Sequence, residues 1–143
     1  MTLLNPHPIG IPVPSPSDIS RPFWDGCGRS ELLFQRCRNG HIVFNPAPLC
    51  RQCLSADLTW EQSAGAGTIY TWSMVWRPQA PEFATPYAVA IVELDEGYHM
   101  VANIIGCDHE VVRVGLRVKA EFHPISDKIS LAYFAPLAVR SRN

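Results

Sequence analysis

Three thiols at ribbon spacing constrain this chain more than any other feature: Cys50-Arg51-Gln52-Cys53 follows Cys37 by thirteen residues. A Cys-x-x-Cys knuckle lets two thiolates converge on one tetrahedral ion. A ribbon needs a second knuckle for two further ligands, yet Cys37-Arg38-Asn39-Gly40-His41 carries a single cysteine. His41 is the natural substitute, because three cysteines and a histidine form an established structural zinc set. Two readings follow. Zinc is held by Cys37, Cys50, Cys53 and His41, or the site is degenerate and packing around Phe34, Phe44 and Leu49 holds the ribbon. Either way the site is structural, since three or four protein ligands leave little room for a catalytic water. A redox role is disfavoured, because no βαβ pattern surrounds the knuckle.

Beyond Cys53 the sequence becomes short strands separated by turn signals. Gly65-Ala66-Gly67 leads into Thr68–Trp76, where the two-residue period places Tyr70, Trp72, Met74 and Trp76 on one face. A proline-broken loop from Arg77 to Phe83 precedes Pro86–Leu94, which is apolar enough for burial on both sides. Asp95-Glu96-Gly97 reads as a hairpin turn into Tyr98–Ile105. In Leu116–Phe122 Leu116, Val118, Ala120 and Phe122 alternate with charged residues, and Ile129–Phe134 forms the fifth strand. Five such strands with few helical signals predict a small OB-type barrel, which leaves fewer exposed edges than an open half-sandwich.

The first sixteen residues hold five prolines, predicting an extended or polyproline-II arm rather than packed structure. Ser20 to Cys27 reads as a short helix with Ser20 as N-cap and Pro22 in the first turn. The expected class is therefore mainly β. Residues 1–19 form the proline-rich arm, 20–60 a helix plus rubredoxin-like ribbon, 61–137 the barrel and 138–143 a tail.

Composition excludes more than it assigns. Twelve basic residues against 13 acidic give a net charge of −1, without the cationic excess of a nucleic-acid binder. No signal peptide or membrane-spanning run stands out, which predicts a soluble, cytoplasmic protein. Five cysteines, an odd number, argue against a disulfide scaffold, and Cys27 and Cys107 read as small buried side chains. No nucleophile elbow, metalloprotease helix or phosphate-cradling loop is present. His7, His99, His109 and His123 read as surface or satisfied histidines, so no catalytic residue is expected. Tyr70, Trp72 and Trp76, with Arg77 beside them, form the candidate partner or ligand face. Only Arg77, Arg113 and Lys119 are on offer for the phosphates of a bound CoA.

An ordered set of motifs carries a family likeness. Pro22-Phe23-Trp24-Asp25-Gly26, Leu33-Phe34-Gln35-Arg36-Cys37 and the Cys50–Cys53 knuckle come first. Gly65 to Trp72, Pro86 to Gly97 and Val114-Gly115-Leu116-Arg117-Val118 follow in order. From residue 20 to about 135 the chain resembles the acyl-CoA-associated ribbon/OB-fold family, long catalogued as a domain of unknown function and encoded beside thiolase-like enzymes. The resemblance implies a helix, a rubredoxin-like zinc ribbon and an OB barrel. It also implies an accessory subunit of a sterol-carrier-type thiolase, side-chain aldolase or acyltransferase, supporting the partner's acyl-CoA site, with catalysis left to the partner. The family's first knuckle usually reads Cys-x-x-Cys-Gly-His, and here the second cysteine is deleted. A single-strand nucleic-acid binder and a stand-alone acyl-CoA binder are the alternatives.

Overall fold

The computed structural model describes residues 2–137; the expected tail at 138–143 lies outside them. The chain is mainly β, as the alternation requires. Helix α1 (Arg21–Gly28) is followed by an antiparallel sheet in the order β2 (Ile42–Val43), β1 (Leu33–Cys37), β3 (Leu58–Gln62). Strands β4 (Ala66–Val75), β5 (Tyr87–Leu94), β6 (His99–Ile104), β7 (Arg117–Pro124) and β8 (Ser130–Pro136) then close a barrel in the order β4-β5-β6-β8-β7. That is OB connectivity, with one parallel contact between β6 and β8 at Ile104↔Phe134.

One apolar core runs through both halves. Phe23, Cys27, Leu32 and Phe34 from the helix and ribbon pack with Val92, Leu94, Ile104, Val118 and Phe134 of the barrel. Burial pushes the Cys27 thiol up to about 12, so it behaves as a small inert hydrophobe. Glycine is demanded where backbones approach. A Cβ on Gly67 would lie 2.5 Å from the Glu93 carbonyl oxygen, and one on Gly26 would lie 2.9 Å from that of Glu31.

The arm departs from expectation. It is extended, but it is packed along the chain's own barrel: Leu4, His7 and Ile11 are buried. The Leu4 N–H donates to the Cys107 carbonyl, and the Gly106 N–H donates back to Leu4. His7 enters an aromatic niche, its ring 4.8 Å from that of Tyr87 and 5.3 Å from that of Phe83. Its Nε2 lies 3.0 Å from Asn103 Oδ1, and its backbone N–H donates to Tyr133 Oη at 3.1 Å. Burial lowers the His7 pKa below the usual 6.5, against the opposing Asn103 bond. The unfolded or undocked arm therefore takes up protons first as pH falls. The niche's contribution is complete above the undocked value of 6.5 and is lost as pH falls through the lower docked pKa. Amide exchange of residues 2–11 should accelerate on acidification through that window, and His7→Gln should flatten the dependence.

Ser20 also differs. It precedes the helix but makes no side-chain cap; its Oγ accepts from the Ser17 N–H at 2.9 Å. Pro22 occupies the first turn as expected.

Candidate metal centre and aromatic face

The turn between β1 and β2 places His41 where a second knuckle ligand is needed. Gly40, at φ +87°, bonds back to the Cys37 carbonyl at 2.9 Å, and the Cys37 N–H donates to the His41 carbonyl at 2.9 Å. This tight reversal brings His41 over Cys37, while the loop before β3 delivers Cys50 and Cys53. Donor atoms of Cys37, His41, Cys50 and Cys53 all lie within 4.8 Å of one another. Cys37 Sγ is 3.4 Å from His41 Nδ1, Cys50 Sγ is 3.6 Å from it, and Cys37 and Cys53 Sγ are 3.7 Å apart. A tetrahedron with ordinary zinc–sulfur and zinc–nitrogen bonds has edges of about 3.8 Å between sulfurs and about 3.5 Å from sulfur to nitrogen. The donor set fits a structural zinc.

The surroundings support thiolate. Backbone N–H groups of His41 and Gln52 point at Cys37 and Cys50 Sγ, each at 3.4 Å, and Asn39 Nδ2 reaches Cys53 Sγ at 3.3 Å. Such donors orient metal ligands and offset their charge. The Asn39 bond, with that from Ser55, draws the Cys53 thiol down to about 6. Cys50 is lowered by the Cys53 backbone N–H, whereas burial raises Cys37.

The alternative of a ribbon held by Phe34, Phe44 and Leu49 is overturned. Phe34 and Phe44 turn toward the barrel, 5.1 and 4.8 Å from the Tyr98 ring, and Leu49 is exposed. The ribbon's own buried cluster is Cys37, Val43 and Cys50, backed by Ala47, Cys53 and Leu58. Gln35, part of a family motif but given no role from sequence, clamps this loop: Nε2 donates to the Ala47 carbonyl at 3.1 Å and Oε1 accepts its N–H at 2.9 Å. Gln35→Ala strands both groups and should cost about 1–3 kcal/mol in thermal or urea unfolding.

The aromatic strand is split by a bulge. Register shifts between Ile69 and Thr71, leaving Tyr70 as the extra residue. Tyr70 joins the barrel's outer face, 4.8 Å from the His99 ring. Trp72 and Met74, opposite the buried Ala90 and Ala88, turn to the other face. There they line a groove of about 500 Å³ with Trp76, His109, Glu110 and Val112. A two-residue count cannot reveal the bulge, so only Trp72 and Trp76 of the three expected aromatics come together. Arg77, Arg113 and Lys119 are exposed, on the loop after β4, the approach to β7 and β7 itself, and none lines the groove.

A second groove, of about 480 Å³, has no signal in the sequence because distant segments build it. Phe23 and Trp24 of α1, Phe44 to Pro46, and Ile91, Val101 and Leu131 of the barrel face it. Among the described residues no helix is long and apolar enough to cross a membrane.

Ribbon, barrel and donor set define a zinc-ribbon/OB-fold protein. The rubredoxin-like zinc ribbon domain of ChsH2 matches residues 24–59, and the ChsH2 C-terminal OB-fold domain matches 60–123. The chain belongs to the ChsH2 (DUF35) family. It is 30% identical over 138 residues to the 3-oxo-4,17-pregnadiene-20-carboxyl-CoA hydratase alpha subunit of Mycobacterium tuberculosis, covering 87% of this chain and 44% of that protein. It thus spans less than half the length of that curated relative. A Pyrococcus furiosus DUF35 domain-containing scaffold protein is 30% identical, covering 73% of this chain and 77% of the relative. Among solved structures, a chain of the Ltp2-ChsH2(DUF35) aldolase superposes with a TM-score of 0.80 at 28% identity, covering 87% of this chain and 98% of that one.

Proposed function

We propose that this chain is a non-catalytic accessory subunit of a cytoplasmic thiolase-like acyl-CoA enzyme: a sterol-carrier-type thiolase, side-chain aldolase or acyltransferase whose catalytic residues lie in the partner. The observation that carries this reading is the likeness, over 87% of this chain and 98% of the other, to a chain of the Ltp2-ChsH2(DUF35) aldolase. The named relatives, a hydratase alpha subunit and scaffold proteins, favour the same class. Chemistry agrees. Outside the thiol cluster, the described histidines lie against Asn103, Glu93, Asp108 or Glu121, with no serine or cysteine nucleophile hydrogen-bonded to any of them.

In this reading Cys37, His41, Cys50 and Cys53 hold a structural zinc that fixes the ribbon. Trp72 and Trp76, with Arg77 at the strand's end, form the partner or ligand face. A nucleic-acid role is disfavoured because no lysine or arginine lines the groove that Trp72 and Trp76 share. The same lack disfavours a stand-alone CoA site there.

Co-expression with a thiolase-like protein encoded beside this chain, followed by size-exclusion chromatography and assay, tests the proposal. One co-eluting complex, whose activity falls when this chain is omitted, is expected. Separate elution with unchanged partner activity would sink the proposal.

A further inference from the structure

Strand β4 is half paired. From Ala66 to Thr68 it is sandwiched between β5 and β7, and Ile69 completes the second ladder by bonding Leu116 and Gly115. Past Ile69, among the described residues, β4 has no backbone partner except β5. An antiparallel ladder turns every second N–H and C=O away from its partner, so the run Thr71–Val75 presents an open row of donors and acceptors. Tyr70 to Ser73 is continuously exposed.

Sheet edges are usually blunted by lysine, proline or cover, because an open one templates a further strand. The run Tyr70–Trp76 contains neither residue. It borders the groove of Trp72, Met74 and Trp76, and the two tryptophans are 39% and 59% exposed. Backbone donors beside an aromatic groove match one chemistry: extended polypeptide, whose main chain completes the ladder while alternate side chains fill the groove. Charge narrows the occupant further. Glu110 is the one formally charged side chain lining the groove, which disfavours an acidic segment or a phosphate and favours an apolar strand carrying a basic residue at that end.

We infer that the open edge Thr71–Val75 is a strand-addition site. It receives an extended, apolar and locally basic segment of the partner subunit, with an apolar side chain seated against Trp72 and Trp76. The inference rests on the accessory-subunit reading and specifies how the two chains join.

Amide hydrogen exchange on the full chain, alone and with the co-expressed thiolase-like protein, tests it. Alone, alternate amides of Thr71–Val75 should exchange fast; in the complex they should become protected. The double variant Trp72→Ala/Trp76→Ala should weaken the complex at least about tenfold, as tryptophan anchors do. Tyr70→Ala, on the opposite face, should leave it intact. If a complex forms but these amides stay fast and the tryptophan variant binds normally, the inference falls and the accessory role stands. Protection of the same amides in the chain alone, rising with its concentration, would overturn it in favour of self-pairing. Failure to form any complex would overturn both.

Discussion

Purified protein should carry one zinc per chain, and stripping it with a chelator should unfold the ribbon between Arg38 and Asp57 while the barrel persists. The reason is how little else holds that segment. Its buried cluster consists of Cys37, Val43 and Cys50, so two of its three buried members are themselves thiols. A structural zinc contributes on the order of 10–16 kcal/mol of apparent binding energy, against about 5–15 kcal/mol for the whole stability of a typical domain. The metal therefore dominates locally. Strand β1 should survive in part, because Phe34 is anchored in the shared core. Cys50→Ser should abolish stoichiometric zinc. His41→Ala should weaken retention, and His41→Cys should restore it by returning a fourth thiolate. Elemental analysis and amide exchange of residues 38–57 supply the readout. A metal-free chain with unchanged exchange would refute the assignment.

What the sequence revealed, and what it hid, follows from the range of the interactions involved. Alternation is local, so β7 could be read directly: Val118 is fully buried while Arg117 and Lys119 are exposed. The Asp95-Glu96-Gly97 turn was equally local, and Gly97 adopts φ +105° with its N–H on the Leu94 carbonyl. The knuckle was visible because its two cysteines lie three residues apart. The sequence only nominates the fourth ligand, since its arrival depends on the Gly40 reversal and on distances that no spacing encodes. The bulge at Tyr70 reflects a mismatch in residue count between β4 and β5, so β4 read alone counts Tyr70 onto the wrong face. The arm was hidden for a similar reason. His7 finds Asn103 and Tyr133 some hundred residues away, and five prolines obscure the buried positions of Leu4, His7 and Ile11.

Phe134→Ala should be the most damaging single core substitution. Phe134 is fully buried, and it stands where the barrel closes: Ile104↔Phe134 is the one ladder pair joining β6 to β8, and the Ile105 N–H donates to the Phe134 carbonyl at 2.9 Å. On its other side β8 pairs Phe134 with Ala120 of β7. Removing the ring empties the core at the seam with the fewest backbone bonds, so little around it can collapse to fill the space. A loss of about 3–5 kcal/mol is expected from urea unfolding, whereas Phe134→Leu should cost less because it keeps most of the volume. A loss under about 1 kcal/mol would mean that the seam repacks, and that the closure is held elsewhere than at this ring. The contrast with Trp72→Ala/Trp76→Ala separates fold from assembly. Those half-exposed tryptophans should lower the isolated chain's unfolding midpoint far less than Phe134→Ala does, while breaking the complex. Phe134→Ala should lower the midpoint sharply and affect the complex only in proportion to the folded fraction.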